Sequence, residues 1–361
     1  MAIASIRTFP LRIPYEVGGP KQEFMGHPRT HLEALFIRVE THDGVVGWGE
    51  AFGINMWPTV RVALDDVIAP YATGKDEDDH RSLLLDLKRR LHVYGRTGPV
   101  MYALSGLDIA LWDIAARKAG KPLHALLGGA RRTELEAYAS LMRYGAPEPL
   151  ARNCEQALAL GYRSVKIHET TMAQCAAARE ALGDAPLMVD TNCAWTLEQA
   201  IGYLPELERL RPAWLEEPTW PPEDVGNHAQ LRARTGIALT AGENAATPWE
   251  LQQLAASGAL AVVQPSVTKL GGVTDMVAAL AALPASVRAI PHSPYFGPGL
   301  LATLHIAAAA ECETPVERLF CEFASHPLGA SIEAPGGRFA VPQGPGLGAE
   351  PDLQLLAEFA A

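Results

Sequence analysis

The sequence predicts a β/α barrel preceded by a smaller α+β unit, and three observations carry that reading. The first is length: 361 residues exceed one ordinary core but suit a barrel plus a smaller domain. The second is a change of texture near residue 135. Strands followed by helices give way to short apolar strands alternating with Ala/Leu-rich helical stretches, the pattern of repeated βα units. The third is a period. A polar residue closes each strand of the second part, at Lys166, Asp190, Glu216, Glu243, Ser266, His292 and Glu317, at intervals of 24, 26, 27, 23, 26 and 25 residues. Polar side chains confined to strand ends at so regular a spacing point to a barrel whose site lies at the C-terminal mouth of its strands. A solvated loop position explains any one of these residues but not the series.

Taken in order, "SIRTFPLRI" reads as a strand and "ALFIRVETHDGVVGWGEAF" as a hairpin turning at His42-Asp43-Gly44. "TVRVALDDVIAPYAT", "DEDDHRSLLLDLKRRLH" and "PVMYALSGLDIALWDIAARKAG" carry helical apolar spacing. The last stops at Gly120 with Pro122 beyond it, a common helix exit. In the second part the strands are "YRSVKIH", "PLMVDTN", "AWLEEP", "IALTAGEN" and "LAVVQPSV". Stretches such as "TLEQAIGYLPELERL" and "TPWELQQLAASG" supply the helices between them.

Composition narrows the function classes. With 48% hydrophobic and 20% charged residues, the chain can bury a large core. A net charge of −11 and the lack of any long Lys/Arg cluster argue against nucleic acid or an anionic membrane as partner. Arginines interrupt the apolar residues of the N-terminus, which lacks a signal-peptide core, and no apolar run approaches the ~20 residues of a membrane span. The five cysteines, Cys154, Cys175, Cys193, Cys312 and Cys321, are odd in number and lack C-x-x-C spacing. They read as reduced thiols of a cytoplasmic protein rather than a disulfide framework or zinc site.

The chemistry-bearing residues begin with "SVKIHET". On a strand, Lys166 and His168 point the same way, which places two titratable groups together at the barrel mouth. Asp190, Glu216 and Glu243 close three successive strands, so their carboxylates converge. Without a cation they would repel one another, and an all-oxygen set points to a hard ion such as Mg²⁺, for which Mn²⁺ can substitute. Glu217 adjoins Glu216 and must face the other way; spacing alone does not say which of the two is the ligand.

The segments "MVDTNCAW", "WLEEPTWP", "TAGEN", "KLGGVTD" and "PVERL", with "SGLDIALWDIAARKAGKPLHALLGG" before them and "GGRFAVPQGPGLG" after, resemble the enolase superfamily. The likeness is to its mandelate racemase/muconate lactonizing enzyme branch and covers most of the chain. It implies a (β/α)7β barrel over residues 128–322. The α+β capping domain would come from residues 1–127, with the tail 323–361 returning to it. The resemblance further implies a homo-oligomer, a small-molecule carboxylate substrate, and Mg²⁺ held by Asp190, Glu216 and Glu243, which settles Glu216 over Glu217. Lys166 and His168 would occupy the family's K-x-K position, which takes the proton α to the carboxylate from one face. His292 matches the histidine of the opposite face, Glu317 a carboxyl near the substrate carboxylate, and Asn192 a residue beside the α-substituent.

Such a proton is a very weak acid, because its loss puts a second negative charge on the group. A metal on the carboxylate and a nearby cation stabilise that charge, and a base must be held within reach. A lysine or histidine base with Mg²⁺ is the pattern known for enolase-superfamily sites. Lys166 and His168 are expected to depress each other's pKa and so stay mostly neutral.

Two departures from the family pattern bear on the reaction. Histidine stands where the second lysine is more usual, which leaves the base role open between Lys166 and His168. Ser266 replaces the aspartate that would orient His292, making His292 a weaker base and, once protonated, a stronger acid. Lys269 is expected to face away and not to compensate. The reading is therefore β-elimination of water from a hydroxylated sugar acid, a hydro-lyase reaction. Racemisation or epimerisation by 1,1-proton transfer is the alternative, and cycloisomerisation the third. A Schiff-base aldolase at Lys166 would not need three clustered carboxylates. A metal hydrolase would draw on barrel histidine ligands, and intact metal and base positions argue against a non-catalytic binding protein. For substrate contact, the cap loop offers Lys21, His27 and Arg29 for polar groups and Phe24 and Met25 for apolar ones; Met56 and Trp57 would wall the pocket.

Overall fold

A computed structural model of the chain describes every residue except Met1, Gln22, Met25, Gly26 and Cys312, and only the backbone of Phe24 and His27. Strand β1 (Ile3–Glu16) is followed by a two-stranded ribbon, β2 (Glu23–Phe24) and β3 (His27–Pro28). Next come β4 (His31–Thr41) and β5 (Val46–Ala51), joined by the expected turn at His42-Asp43-Gly44. β1, β4 and β5 form one antiparallel sheet. Its core is covered by the helical segments Trp57–Val62, Ala63–Ile68 (a π-helical stretch) and His80–Leu91, and by the helix Pro99–Lys118.

Pro99–Lys118 is apolar on nearly every side, as befits a helix with protein around it. By length and composition it could cross a membrane, which amends the expectation that no run comes close. However, 78% of its most apolar window is buried inside the protein, and it is a core helix. The sheet approaches it closely at Gly49, where a β-carbon would lie 1.9 Å from the carbonyl oxygen of Gly106. Any larger residue there would push helix and strand apart.

The second part is a parallel sheet whose strands are β6 (Glu134–Leu141), β7 (Val165–Ile167), β8 (Leu187–Asp190), β9 (Trp214–Glu216), β10 (Leu239–Ala241), β11 (Val262–Val263), β12 (Arg288–Ala289) and β13 (Val316–Phe320). Neighbours pair in sequence order from β6 to β12, and β13 pairs with β6, so the sheet curls round. One helix separates each strand from the next, giving (β/α)7β. The helices start where the sequence signals it: Thr171 and Thr196 form capping boxes with Gln174 and Gln199, and Asp224 and Thr247 cap the helices that follow.

Tyr138, Met188, Trp214 and Val262 of the barrel strands cluster with Ile290, just beyond β12. After β13 the chain returns to the cap. β14 (Glu322–Phe323) joins β1, β15 (Arg338–Ala340) lies antiparallel on β6, and the Phe359 carbonyl accepts the Arg12 amide at 2.9 Å. Cys154, Cys175, Cys193 and Cys321 are free thiols.

Candidate active site

Lys166, on β7, is buried among carboxylates. Its Nζ lies 3.3 Å from Asp190 Oδ2, 3.2 Å from Glu216 Oε1 and 3.1 Å from Glu317 Oε1, with 1% of the side chain exposed. Burial alone would lower its pKa, but Glu216, Glu317 and Asp190 outweigh that and hold it well above the usual lysine value. This corrects the expectation of mutual depression with His168: the carboxylates, not the histidine, set the charge state of Lys166.

His168 sits one residue beyond β7. Its Nδ1 faces the Leu141 carbonyl oxygen at 2.5 Å and its Nε2 lies 3.3 Å from Asp190 Oδ2. A carbonyl only accepts, so Nδ1 carries a hydrogen and Nε2 is the ring nitrogen left to exchange a proton.

Oxygens of Asp190, Glu216 and Glu243 lie within 4.8 Å of one another. Asp190 and Glu216 end β8 and β9, whereas Glu243 lies just beyond β10 on the loop. Trp214 Nε1 donates to Glu216 Oε2 at 3.0 Å. The electrostatics of Asp190 and Glu216 diverge. Burial would raise Asp190, but Lys166 and His168 hold it low, while burial and the charge of Asp190 push Glu216 well up. Asp190 Oδ2, though buried, accepts no well-directed hydrogen bond. Three converging carboxylates, one of them with an unpartnered buried oxygen, fit a hard divalent cation, which an all-oxygen donor set can hold. Glu217 faces elsewhere, as expected. At φ +40° its side chain turns to Asn244 Nδ2 at 3.2 Å and the Cys193 thiol at 3.4 Å, and burial, then Glu243, pushes its pKa up to about 8.

His292, on the loop after β12, places Nε2 3.1 Å from Glu243 Oε2. Behind the ring, Nδ1 faces the Tyr295 hydroxyl at 3.5 Å, and that hydroxyl is in turn hydrogen-bonded to Ser266. A tyrosine–serine pair thus stands behind the imidazole. Burial, reinforced by Lys269, holds the His292 pKa well below the usual histidine value. Lys269 overturns the expectation that it faces away. β11 ends at Val263, so strand alternation no longer applies at residue 269. The lysine packs its ammonium 4.4 Å over the Phe52 ring and lies 3.7 Å from Glu243 Oε1. Glu317 accepts from Ser140 Oγ at 2.7 Å and from the Ser293 amide at 2.9 Å. Asn192, at φ +47°, accepts from Arg143 Nη2 at 3.4 Å.

Above the cluster opens a cavity of about 580 Å³, walled by both domains. His168, Asn192, Glu243, His292 and Glu317 line it from the barrel. Lys21, Arg29, Phe52 and Ile54 line it from the cap. Met56 and Trp57 do not wall it: they pack into the cap's own core. The side chains of Phe24 and His27, and all of Met25, lie outside the described residues. Sequence reasoning missed Arg143 and Tyr295, neither of which falls on the strand-end period.

Comparison with known proteins places this geometry. Residues 149–355 match the family described as enolase C-terminal domain-like, and residues 23–128 match the mandelate racemase/muconate lactonizing enzyme N-terminal domain. The chain is 30% identical to D-galactarolactone cycloisomerase of Agrobacterium fabrum over 99% of both chains. It is also 30% identical to arabinonate dehydratase of Saccharolobus solfataricus over 89% of this chain and 88% of that one. Among solved structures, the mandelate racemase/muconate lactonizing protein of Paracoccus denitrificans complexed with magnesium superposes with a TM-score of 0.87. It is 30% identical, and the match covers 100% of this chain and 98% of that one. The chain belongs to the mandelate racemase/muconate lactonizing enzyme branch of the enolase superfamily.

Proposed function

We propose that the protein is a Mg²⁺-dependent acid-sugar dehydratase, removing the proton α to a carboxylate and expelling water from the β-carbon. The observation that carries this reading is the cluster of buried carboxylates flanked by histidines of different support: His168 beside Asp190 and His292 beside Glu243. Mg²⁺ held by Asp190, Glu216 and Glu243 would supply Lewis-acid stabilisation of the charge that develops on the substrate carboxylate.

The chain's own groups divide the remaining work. His168 Nε2, on the cavity wall, takes the α-proton, with Nδ1 oriented by the Leu141 carbonyl. Lys166, pinned as a cation, adds positive charge beneath the carboxylate end. His292, backed by a hydroxyl and not a carboxylate, is a weak base and, once it has taken up a proton, a strong acid. That suits delivery to a departing hydroxyl better than abstraction from carbon. The end-to-end likeness to a cycloisomerase favours a second reading, in which the same abstraction expels an oxygen of the substrate's own ring.

The test is proton NMR and mass spectrometry of the Mg²⁺-loaded protein in D₂O with hydroxy and sugar acids and their lactones. Dehydration is expected: the α-proton signal disappears, a 3-deoxy methylene appears and the product is lighter by one water. A ring-opened product of unchanged mass would establish the second reading, and α-exchange with an intact skeleton would indicate racemisation. In His292→Asn, elimination should be lost while α-proton exchange persists; unaffected elimination would refute the role given to His292.

A further inference from the structure

His168 and Glu169 follow β7 as neighbours, yet only the first reaches the cavity. Glu169 is 1% exposed and does not join the cavity wall. A carboxyl withdrawn from water needs hydrogen-bond donors in return. The nearest local use is already taken. The helix that follows, Met172–Leu182, is capped by Thr171 with Gln174, so Glu169 does not serve as its cap.

Its donors lie at the exit of the neighbouring strand. After β6 the chain runs through residues 142–146 into the helix Pro147–Ala159. Glu169 Oε1 accepts the Tyr144 amide at 2.6 Å and the Gly145 amide at 3.2 Å. The same stretch holds His168 at its backbone and at its ring. Arg143 Nε donates to the His168 carbonyl at 2.5 Å, and the Leu141 carbonyl accepts from ring Nδ1 at 2.5 Å. Two consecutive residues, 168 and 169, are thus stitched to residues 141–145. The stretch is anchored to the cap as well, because the Tyr144 hydroxyl donates to the Val17 carbonyl at 2.8 Å. The bonds of His168 orient it directly; those of Glu169 hold the far end of the stretch, so that Leu141 and Arg143 meet the histidine at a fixed place. Without that acceptor the buried Tyr144 amide would lose its partner, and the stretch could satisfy it only by moving.

We propose that Glu169 is a positioning residue for His168: it clamps residues 141–145 across the exits of β6 and β7 and so aims the imidazole at the proton it removes. This role deepens the reading of His168 as the base and rests on it.

Two mild variants separate reach from charge. Glu169→Gln keeps an acceptor oxygen in place and loses the charge, whereas Glu169→Asp keeps the charge and withdraws it by one methylene. Hydrogen exchange of the peptide carrying Tyr144 and Gly145, read by mass spectrometry on the full chain without substrate, should quicken in Glu169→Asp and stay near native in Glu169→Gln. The Mg²⁺-loaded chains are then assayed by NMR with sugar acids carrying hydrogen or deuterium at the α-carbon. Glu169→Asp should lose about ten- to a hundredfold in kcat, the penalty of a displaced reacting group, with KM and Mg²⁺ affinity within a few-fold of native. Its hydrogen/deuterium ratio on kcat should be at least as large as the native one, because abstraction is the step that slows. Glu169→Gln should stay within a few-fold of native kcat. A Gln variant slower than the Asp variant would show that charge matters and reach does not, and would overturn the role. Joint deterioration of kcat, KM and Mg²⁺ affinity in Glu169→Asp would overturn it too, as general loosening of the site. Unchanged hydrogen exchange in Glu169→Asp would refute the clamp whatever the chemistry. If the native chain neither eliminates nor exchanges the α-proton of any acid, the reading of His168 as base falls and this inference with it.

Discussion

At Lys166, one cation answers three buried carboxylates, and that imbalance makes a prediction about stability as well as activity. Replacing it with methionine keeps much of the volume but leaves Asp190, Glu216 and Glu317 facing one another without a counter-charge. Breaking a buried ion pair from one side costs about 3–5 kcal/mol. Lys166→Met should therefore lose activity and, in chelator, unfold at markedly lower denaturant than the native chain. Added Mg²⁺ should recover much of the difference, because a cation at the neighbouring acids restores positive charge to the cluster. Chemical denaturation with EDTA and with Mg²⁺ measures this; equal losses in both conditions would mean that Lys166 does not balance the cluster. At this scale the sequence was legible wherever a residue ends a strand, as Asp190 and Glu216 do. It misled at Lys269, because alternation was carried past the end of a strand only two residues long. It was silent on Tyr295, which reaches Ser266 across 29 residues and from a different loop.

Among the elements, β5 and the barrel helix Pro298–Ala309 meet through one buried acid. Glu50 is 3% exposed and accepts the Gly299 amide at 2.8 Å. Burial, only partly offset by that hydrogen bond, raises its pKa from 4.5 to about 8. The sign follows directly. Below pH 4.5 the folded and unfolded chains both hold the proton. Between there and about 8 only the folded chain does, so stability falls with rising pH, by at most about 1.4 kcal/mol per pH unit for this group. Glu50→Gln keeps an acceptor for Gly299 and cannot ionise. Its stability should exceed that of the native chain increasingly from mildly acidic to alkaline pH, as measured by urea midpoints across pH. A constant offset between the two proteins would show that Glu50 does not titrate there. The elements themselves were easily read, since the hairpin turn, the helix stop at Gly120 and helical apolar spacing are local signals. The pairing of β5 with a helix some 250 residues later is not local, and no periodicity announces a buried glutamate as its link.

The whole molecule works as one unit because cap, barrel and tail share both a core and the cavity. The large apolar cluster runs without a break from Leu11 and Phe36 of the cap through Val189 and Leu301 of the barrel to Leu356 of the tail. The order of the domains could be read from texture, but the return of the tail rested on family likeness, because short strands such as β14 and β15 carry no pattern of their own. Asp113 shows how that return is secured. Its Oδ2 accepts the Trp48 amide at 2.9 Å and Arg117 Nε at 3.0 Å, while Oδ1 accepts the Leu347 amide at 2.7 Å from the tail. Asp113→Ala orphans two buried amides and removes a partner of Arg117, a cost of about 3–5 kcal/mol. If the domains are coupled, calorimetry should show one transition moved to lower temperature; a cap transition splitting from an unmoved barrel would refute the coupling. The functional consequence separates along the same line. The carboxylates that could hold a metal belong to the barrel, whereas Lys21, Arg29 and Phe52 bring the cap to the cavity. Below its transition, Asp113→Ala should therefore bind Mg²⁺ within a few-fold of the native affinity while its KM for the acid rises. A fall in metal affinity as large as the rise in KM would place the acid cluster itself under the control of the cap.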